Sequence, residues 1–494
     1  MSKRALFLLM MTAALGALSA PAYAQTSTTV ARATDSNPNT AAPGTPDPRA
    51  YLDDITGDRA MAWVKAHNDK TLARLSRDPR FAQNQAVALK ILQNNDRIAL
   101  PAFARHGMVD NVWQDAQHPQ GVWRRATWAS YRAGKPAWRT ILDIDALSKA
   151  EGKNWVFQGS DCLPPDQTDC LVELSNGGTD ASVVREFDTT TKRFVAKGFV
   201  LPEGKQNATW VDKDTLYVSR EWQPGELTAS GYAYVTKSLK RGQTLDQAVE
   251  VFRGDAKDVS AGRGVLRDID GTYVMDTATR GLDFFNTSVA FYTDKGPVTL
   301  PLPTTSDFSG YYEGQAIYSL KEDWTSPAGT AFKNGAVIAF DLKAALADPA
   351  HLKPTLVFMP NDHQSVEGIS ETQHHLVLSI LSNVAGEIRS FTFAPNQDQG
   401  QWTSKTLALP ANSTLALVAA DNESDHLFVT AEGFLFPSTL YRADAQTGLI
   451  ERIKSGPQTF DASPYQVQQF WATSKDGTKV PYFLVASNLL ATRK

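Results

Sequence analysis

The sequence predicts an all-β fold, a seven-bladed β-propeller preceded by a short α-helical segment. Three features carry that expectation. From residue 98 to residue 455 the chain is a succession of short β-branched and aromatic runs separated by Gly, Asp, Asn and Pro turns. These runs group into seven units of about 40 to 50 residues, the length of a four-stranded blade. Two β-sandwiches in series would need a Pro/Gly/Ser-rich linker between them, and none interrupts 98–455.

The chain opens with Lys3 and Arg4, continues through the apolar run Ala5 to Ala14, and reaches Ala22-Tyr23-Ala24 before Gln25. A basic start, a short apolar stretch and an A-x-A site are the parts of a cleaved secretory signal, assigned to residues 1–24. A membrane anchor needs roughly 20 apolar residues, and Thr12, Gly16, Ser19 and Pro21 dilute a shorter run. The expected location is therefore periplasmic or secreted, with no membrane attachment after cleavage. Losing Lys3 and Arg4 takes the formal charge from −4 to −6, which leaves no basic excess to hold nucleic acid.

Residues 25–50 are rich in Ser, Thr, Pro, Asn and Ala with little to bury, so they read as a disordered tether. The segment 51–97 carries two helical patterns. Asp58 is placed to cap the first, in which Met61, Trp63, Val64, His67, Leu72 and Leu75 recur at spacings of three or four. Asp78-Pro79 supplies a cap and first-turn proline for the second, with Phe81, Val87, Ile91 and Leu92 on one stripe. Trp63 and His67 are assigned to packing.

Within the propeller the seven units begin near Arg105, Trp155, Ala208, Gly264, Gln315, Glu367 and Leu415. Asn176-Gly177 provides the positive backbone angles of a tight hairpin, so Leu174 to Asp180 is a turn between strands and not a phosphate loop. The two cysteines, Cys162 and Cys170, flank a short loop containing Pro164, Pro165 and Asp166. An exported chain meets oxidising conditions, which makes a local disulfide the first expectation, ahead of free thiols and of half a zinc shell.

A search for chemistry returns little. A nucleophile elbow needs Gly-x-Ser-x-Gly, and the nearest stretch, Gly368-Ile-Ser370-Glu371-Thr372, lacks the second glycine and leads into the expected strand His375 to Ile380. The closest histidines are His363, His374 and His375, and adjacent strand residues point to opposite faces, so no zinc pair is expected there. The acidic pairs Asp53-Asp54, Asp268/Asp270 and Glu322-Asp323 fall in turns or helix starts. Arg124-Arg125 and the eleven tryptophans are assigned to blade packing, given the net negative charge. The residues thus nominate no catalytic, cofactor-binding or metal-binding group.

Several segments together resemble the prolyl oligopeptidase family of serine peptidases. Tyr51-Leu-Asp-Asp54, Trp63-Val-Lys-Ala-His-Asn68 and Thr71 are similar to its N-terminal signature, and Asn111 to Asp115, Gly121 to Arg125 and Ser130 to Arg132 to its first blade. The likeness continues through Val184 to Asp188 and Phe460 to Ser463, and reaches Ala472 to Val485, which resembles the start of the hydrolase domain. The resemblance implies a propeller that gates a Ser-Asp-His hydrolase acting on short peptides, with residues 456–494 as a linker and the first strand of a truncated α/β-hydrolase domain. It carries no catalytic residue onto this chain, because the family's triad lies beyond that strand. It implies partners as well, namely short peptides in the channel and a separately encoded hydrolase half where a gene is split. The alternative is a free-standing periplasmic propeller that binds a peptide or protein partner.

Overall fold

The computed structural model describes residues 47–54, 56–395 and 401–488. The proposed signal, nearly all of the tether and the last six residues lie outside them. The described residues fall into two compact units that divide between Asn95 and Asp96.

The first unit holds a 3₁₀ turn, Ala50–Asp53, and two helices, Asp58–Leu75 and Pro79–Leu92. The cap expected at Asp58 is taken by Gly57, and Asp58 becomes the first helical residue, where its charge complements the helix dipole. The second helix starts as its sequence requires: the Asp78 side chain accepts from Arg80 N, with Pro79 in the first turn. Trp63 and His67 stack on each other one turn apart, with ring centroids separated by 3.8 Å. Among the described residues no helix is long and apolar enough to cross a membrane.

The second unit is the propeller, seven antiparallel four-stranded sheets whose strands follow chain order. The first strands are Ala102–Ala104, Trp155–Cys162, Asn207–Asp212, Ser260–Arg267, Asp307–Tyr312, Gln364–Glu371 and Thr414–Ala420. First strands of neighbouring blades approach one another, as strands nearest the axis must, so they form the inner wall. Blade 2 adds Val200–Gly204 beside its third strand, and blade 5 carries a small hairpin, Trp324–Thr325 with Ala331–Phe332. Three short helices, Trp128–Arg132, Ile144–Glu151 and Leu342–Ala347, interrupt a region the sequence suggested to be almost free of helical period. Each starts at a Thr or Asp cap directly after a strand, too short to leave a periodic signature.

The core is distributed among the joints between blades. Blades 1 and 2 meet over Trp123, Ile144, Trp155 and Phe187, and blades 5 and 6 over Tyr312, Ile317, Leu376 and Phe391. Blades 2 and 3, 4 and 5, 6 and 7, and 7 and 1 are joined by apolar clusters of the same kind. Blades 3 and 4 share a polar joint instead. Tyr217 of blade 3 donates to Asp276 at 2.6 Å, the Arg263 guanidinium reaches the same carboxylate, and Arg263 N donates to Thr236 Oγ1 at 2.9 Å.

The chain beyond blade 7 forms an antiparallel hairpin, Tyr465–Thr473 with Lys479–Ser487. The segment expected as one unaccompanied strand thus has a partner within this chain. The pairing runs from Tyr465↔Ser487 to Thr473↔Lys479 around an Asp476-Gly477 turn, a local contact that Gly477 at φ +88° makes possible.

Candidate functional site

Because neighbouring strands are antiparallel, the two ends of the channel differ. Turns between first and second strands open at one end, while the chain enters the ring at Ala102 and leaves after Ser455 at the other. Along the inner strand of blade 6, Ser365, Glu367 and Gly368 are exposed and Ile369 to Glu371 are half-buried, so the wall becomes more enclosed away from the end where the chain enters. At that enclosed end burial pushes the Glu371 carboxyl up to about 8, and the negative charge of Asp268 from blade 4 adds to the shift. Glu371 fits there because residue 310 on blade 5 is glycine, since a Cβ at that position would overlap its carboxylate.

At the same end the blade 6 and blade 7 turns meet over Asp425. Its oxygens lie 2.9 Å from Thr372 Oγ1, 2.8 Å from His374 N and 3.0 Å from His374 Nδ1. His375 Nδ1 is 3.1 Å away, within ion-pair range though off the line of a hydrogen bond. Burial alone would raise this carboxyl, but contacts from His375, His374 and Thr372 hold it at about 2. The expectation that adjacent histidines must face opposite ways is corrected here. The strand begins at Leu376, so His374 and His375 belong to the turn, where strand alternation does not apply. The described residues hold no group of three or more His, Cys, Asp or Glu arranged to bind a metal ion.

The ring closes between blades 7 and 1 through side chains, without a shared sheet. Phe103 stacks on Phe428 with centroids 4.3 Å apart, and Arg105 Nη1 reaches Glu423 at 2.9 Å. Glu423 also accepts from His106 N at 2.9 Å, and Arg132 bonds to Glu451 at 2.8 Å. A cavity of about 340 Å³ lies at this seam, lined by Phe103, Met108, Trp128, Asp421, His426 and Arg442. Burial, reinforced by the Arg442 charge, keeps the His426 imidazole below its ordinary value.

The remaining residues singled out from the sequence occupy structural places. Ser370 sits inside a strand, not on a strand-to-helix elbow. Arg125 pairs with Asp110 at 2.6 Å, and Arg124 stacks between Trp113 and Trp138. The expectation that Asn176 and Gly177 supply the positive angles of a tight turn is corrected: Asn176 ends a strand, and Gly177 and Gly178, at φ +79° and +80°, turn the chain in a longer loop that reaches Ser182, because glycine takes positive φ without a Cβ clash. Cys162 and Cys170 lie opposite each other in the first hairpin of blade 2 and are joined by a disulfide.

A family profile for the prolyl oligopeptidase N-terminal β-propeller domain matches residues 26–456. The chain belongs to the prolyl oligopeptidase family. A protein named as a peptidase in Sinorhizobium fredii is 66% identical over 482 residues, covering 97% of this chain and 66% of its own length. A peptidase of Rickettsia prowazekii is 28% identical over 461 residues, covering 89% of this chain and 62% of its own length. The chain thus spans slightly less than two thirds of these relatives. Among solved structures, a post-proline cleaving enzyme from Rickettsia typhi superposes with a TM-score of 0.80 at 26% identity, over 90% of this chain and 65% of that one. Oligopeptidase B from Trypanosoma brucei, at 16% identity and a TM-score of 0.65, shares the fold.

Proposed function

We propose that this chain supplies the substrate-gating propeller of an exported serine peptidase that cuts short peptides, and that the cutting residues lie outside residues 1–494. The match of the family's propeller profile to residues 26–456 carries this reading. In this reading an extended peptide meets the exposed part of the inner wall, Ser365, Glu367 and Gly368 of blade 6. Ser370, the nearest match to a nucleophile elbow, lies inside a strand and lacks the elbow geometry that would present it to a base and an oxyanion hole. Relatives named as peptidases and a structural neighbour described as post-proline cleaving support a preference for peptides containing proline.

Purified residues 25–494 are the material for the test. They should not hydrolyse proline-containing chromogenic peptides or take up a serine-directed fluorophosphonate. Adding the remaining third of the Sinorhizobium fredii relative as a separate polypeptide should generate activity. Stoichiometric fluorophosphonate labelling of any serine in residues 25–494 overturns the assignment. Peptide binding with no activity under any complementation would favour a free-standing binding propeller.

A further inference from the structure

The turn joining the first two strands of blade 4, Asp268 to Thr272, departs from the other blades in how far it reaches. Arg267, the last residue of the inner strand, anchors its base. One guanidinium nitrogen donates to the Gly271 carbonyl at 3.1 Å, and the other to the carbonyls of Trp210 and Val211 in blade 3 at 3.1 and 2.8 Å. The turn itself is closed by Asp268 N to Thr272 O and Gly271 N to Asp268 O, both 2.9 Å.

Beyond that base the turn touches the far side of the ring. Asn422 of blade 7 donates to the Ile269 carbonyl at 3.3 Å, and Arg105 of blade 1 reaches the Asp270 carbonyl at 3.5 Å. Gly271 lies against Pro164 of the blade 2 hairpin so closely that a Cβ would overlap the proline ring, and its φ of +91° also favours glycine. In a ring of seven, the junction of blades 7 and 1 stands diametrically opposite blade 4. A turn rooted in blade 4 can contact blades 1, 2 and 7 together only by crossing the central axis.

We infer that the Asp268–Thr272 turn is a plug that closes the channel at the end remote from where the chain enters and leaves the ring, making the channel a blind chamber filled from one side. The half-buried state of Ile369 to Glu371, against the exposure of Ser365 and Glu367 on the same inner strand, follows from the closure. The plug also bonds to both partners of the seam, so it braces the one blade junction that has no direct chain connection. Peptides and products then share a single doorway.

The test reads access to the chamber floor and does not depend on what the chamber binds. Glu371→Cys places a thiol just inside the plug, in a chain whose two native cysteines are already paired. With the turn intact, N-ethylmaleimide should modify Cys at 371, and a polymer-conjugated maleimide too wide for the channel should produce no gel shift. Replacing Asp268–Thr272 with a two-residue Asn-Gly hairpin turn should open the floor and give the polymer shift. A polymer shift with the turn intact overturns the plug, as does no reaction with N-ethylmaleimide, or no polymer shift after the turn is shortened. Should either variant fail to fold, Ile269→Cys with Asn422→Cys in the otherwise unaltered chain decides the matter. Peptide mapping should find a 269–422 disulfide on mild oxidation, and two persistent free thiols would show that the turn does not span the axis.

Discussion

Replacing Phe428 tests how the ring is closed. The side chain is fully buried at the seam, stacked on Phe103 at 4.3 Å and in contact with Trp128 and Tyr131 at 5.4 and 6.3 Å between ring centroids. Phe428→Ala removes a buried aromatic and leaves a void that the surrounding β-sheets cannot collapse to fill, which costs about 3–5 kcal/mol. The two ion pairs across the seam offset little of that. Arg105–Glu423 and Arg132–Glu451 are both partly solvated, and such pairs contribute about 0–1 kcal/mol each. Chemical denaturation followed by tryptophan fluorescence measures the loss, with Trp128 as a reporter at the site. A control, Phe291→Ala, removes an equally buried ring at the joint of blades 4 and 5, where chain continuity holds the blades together. Phe428→Ala alone should accelerate amide exchange in both Met108–Trp113 and His426–Gly433. A cost below about 1 kcal/mol, or exchange unchanged in both strands, would refute the claim that apolar packing closes the ring.

Glu371 holds its proton up to about pH 8 when folded, against an ordinary 4.5, so its contribution to stability is full below 4.5 and is lost as pH rises through 8; Glu371→Gln should remove that slope from a series of denaturation curves. The Cys162–Cys170 bridge closes a loop of eight residues' separation and contributes about 2–3 kcal/mol by loop entropy; non-reducing peptide mapping of exported material should recover the linked pair, and two free thiols would defeat the expectation. A chain of residues 96–455 should remain monomeric in light scattering at concentrations where residues 25–494 self-associate, because Leu72, Ile91 and Leu92 on the helices and Trp471, Tyr482 and Leu484 on the hairpin are exposed apolar groups. A monodisperse longer chain beside a precipitating shorter one would contradict it.

Local chemistry was legible wherever it acts over a few residues. Asp78-Pro79 announced a helix start, and the alternation of short strands and turns a ring of seven blades, because caps, turns and strand periods are set by neighbours in sequence. The family resemblance was legible for the same reason, carried by contiguous segments such as Asn111 to Asp115. Tertiary structure decided what depends on closing the ring. His374 and His375 share Asp425 because a turn places them beside another blade, 50 residues away along the chain. Burial at the closed end pushes Glu371 toward neutrality and Asp268 adds to it from two blades away, and the Asp268–Gly271 turn meets Arg105, Pro164 and Asn422 only because blade 4 faces the seam. Sequence encodes the blades one at a time, whereas the channel's floor, its charge and its seam exist only when seven blades share an axis and bring together residues as far apart along the chain as Arg105 and Glu423 or Arg132 and Glu451, 318 and 319 positions.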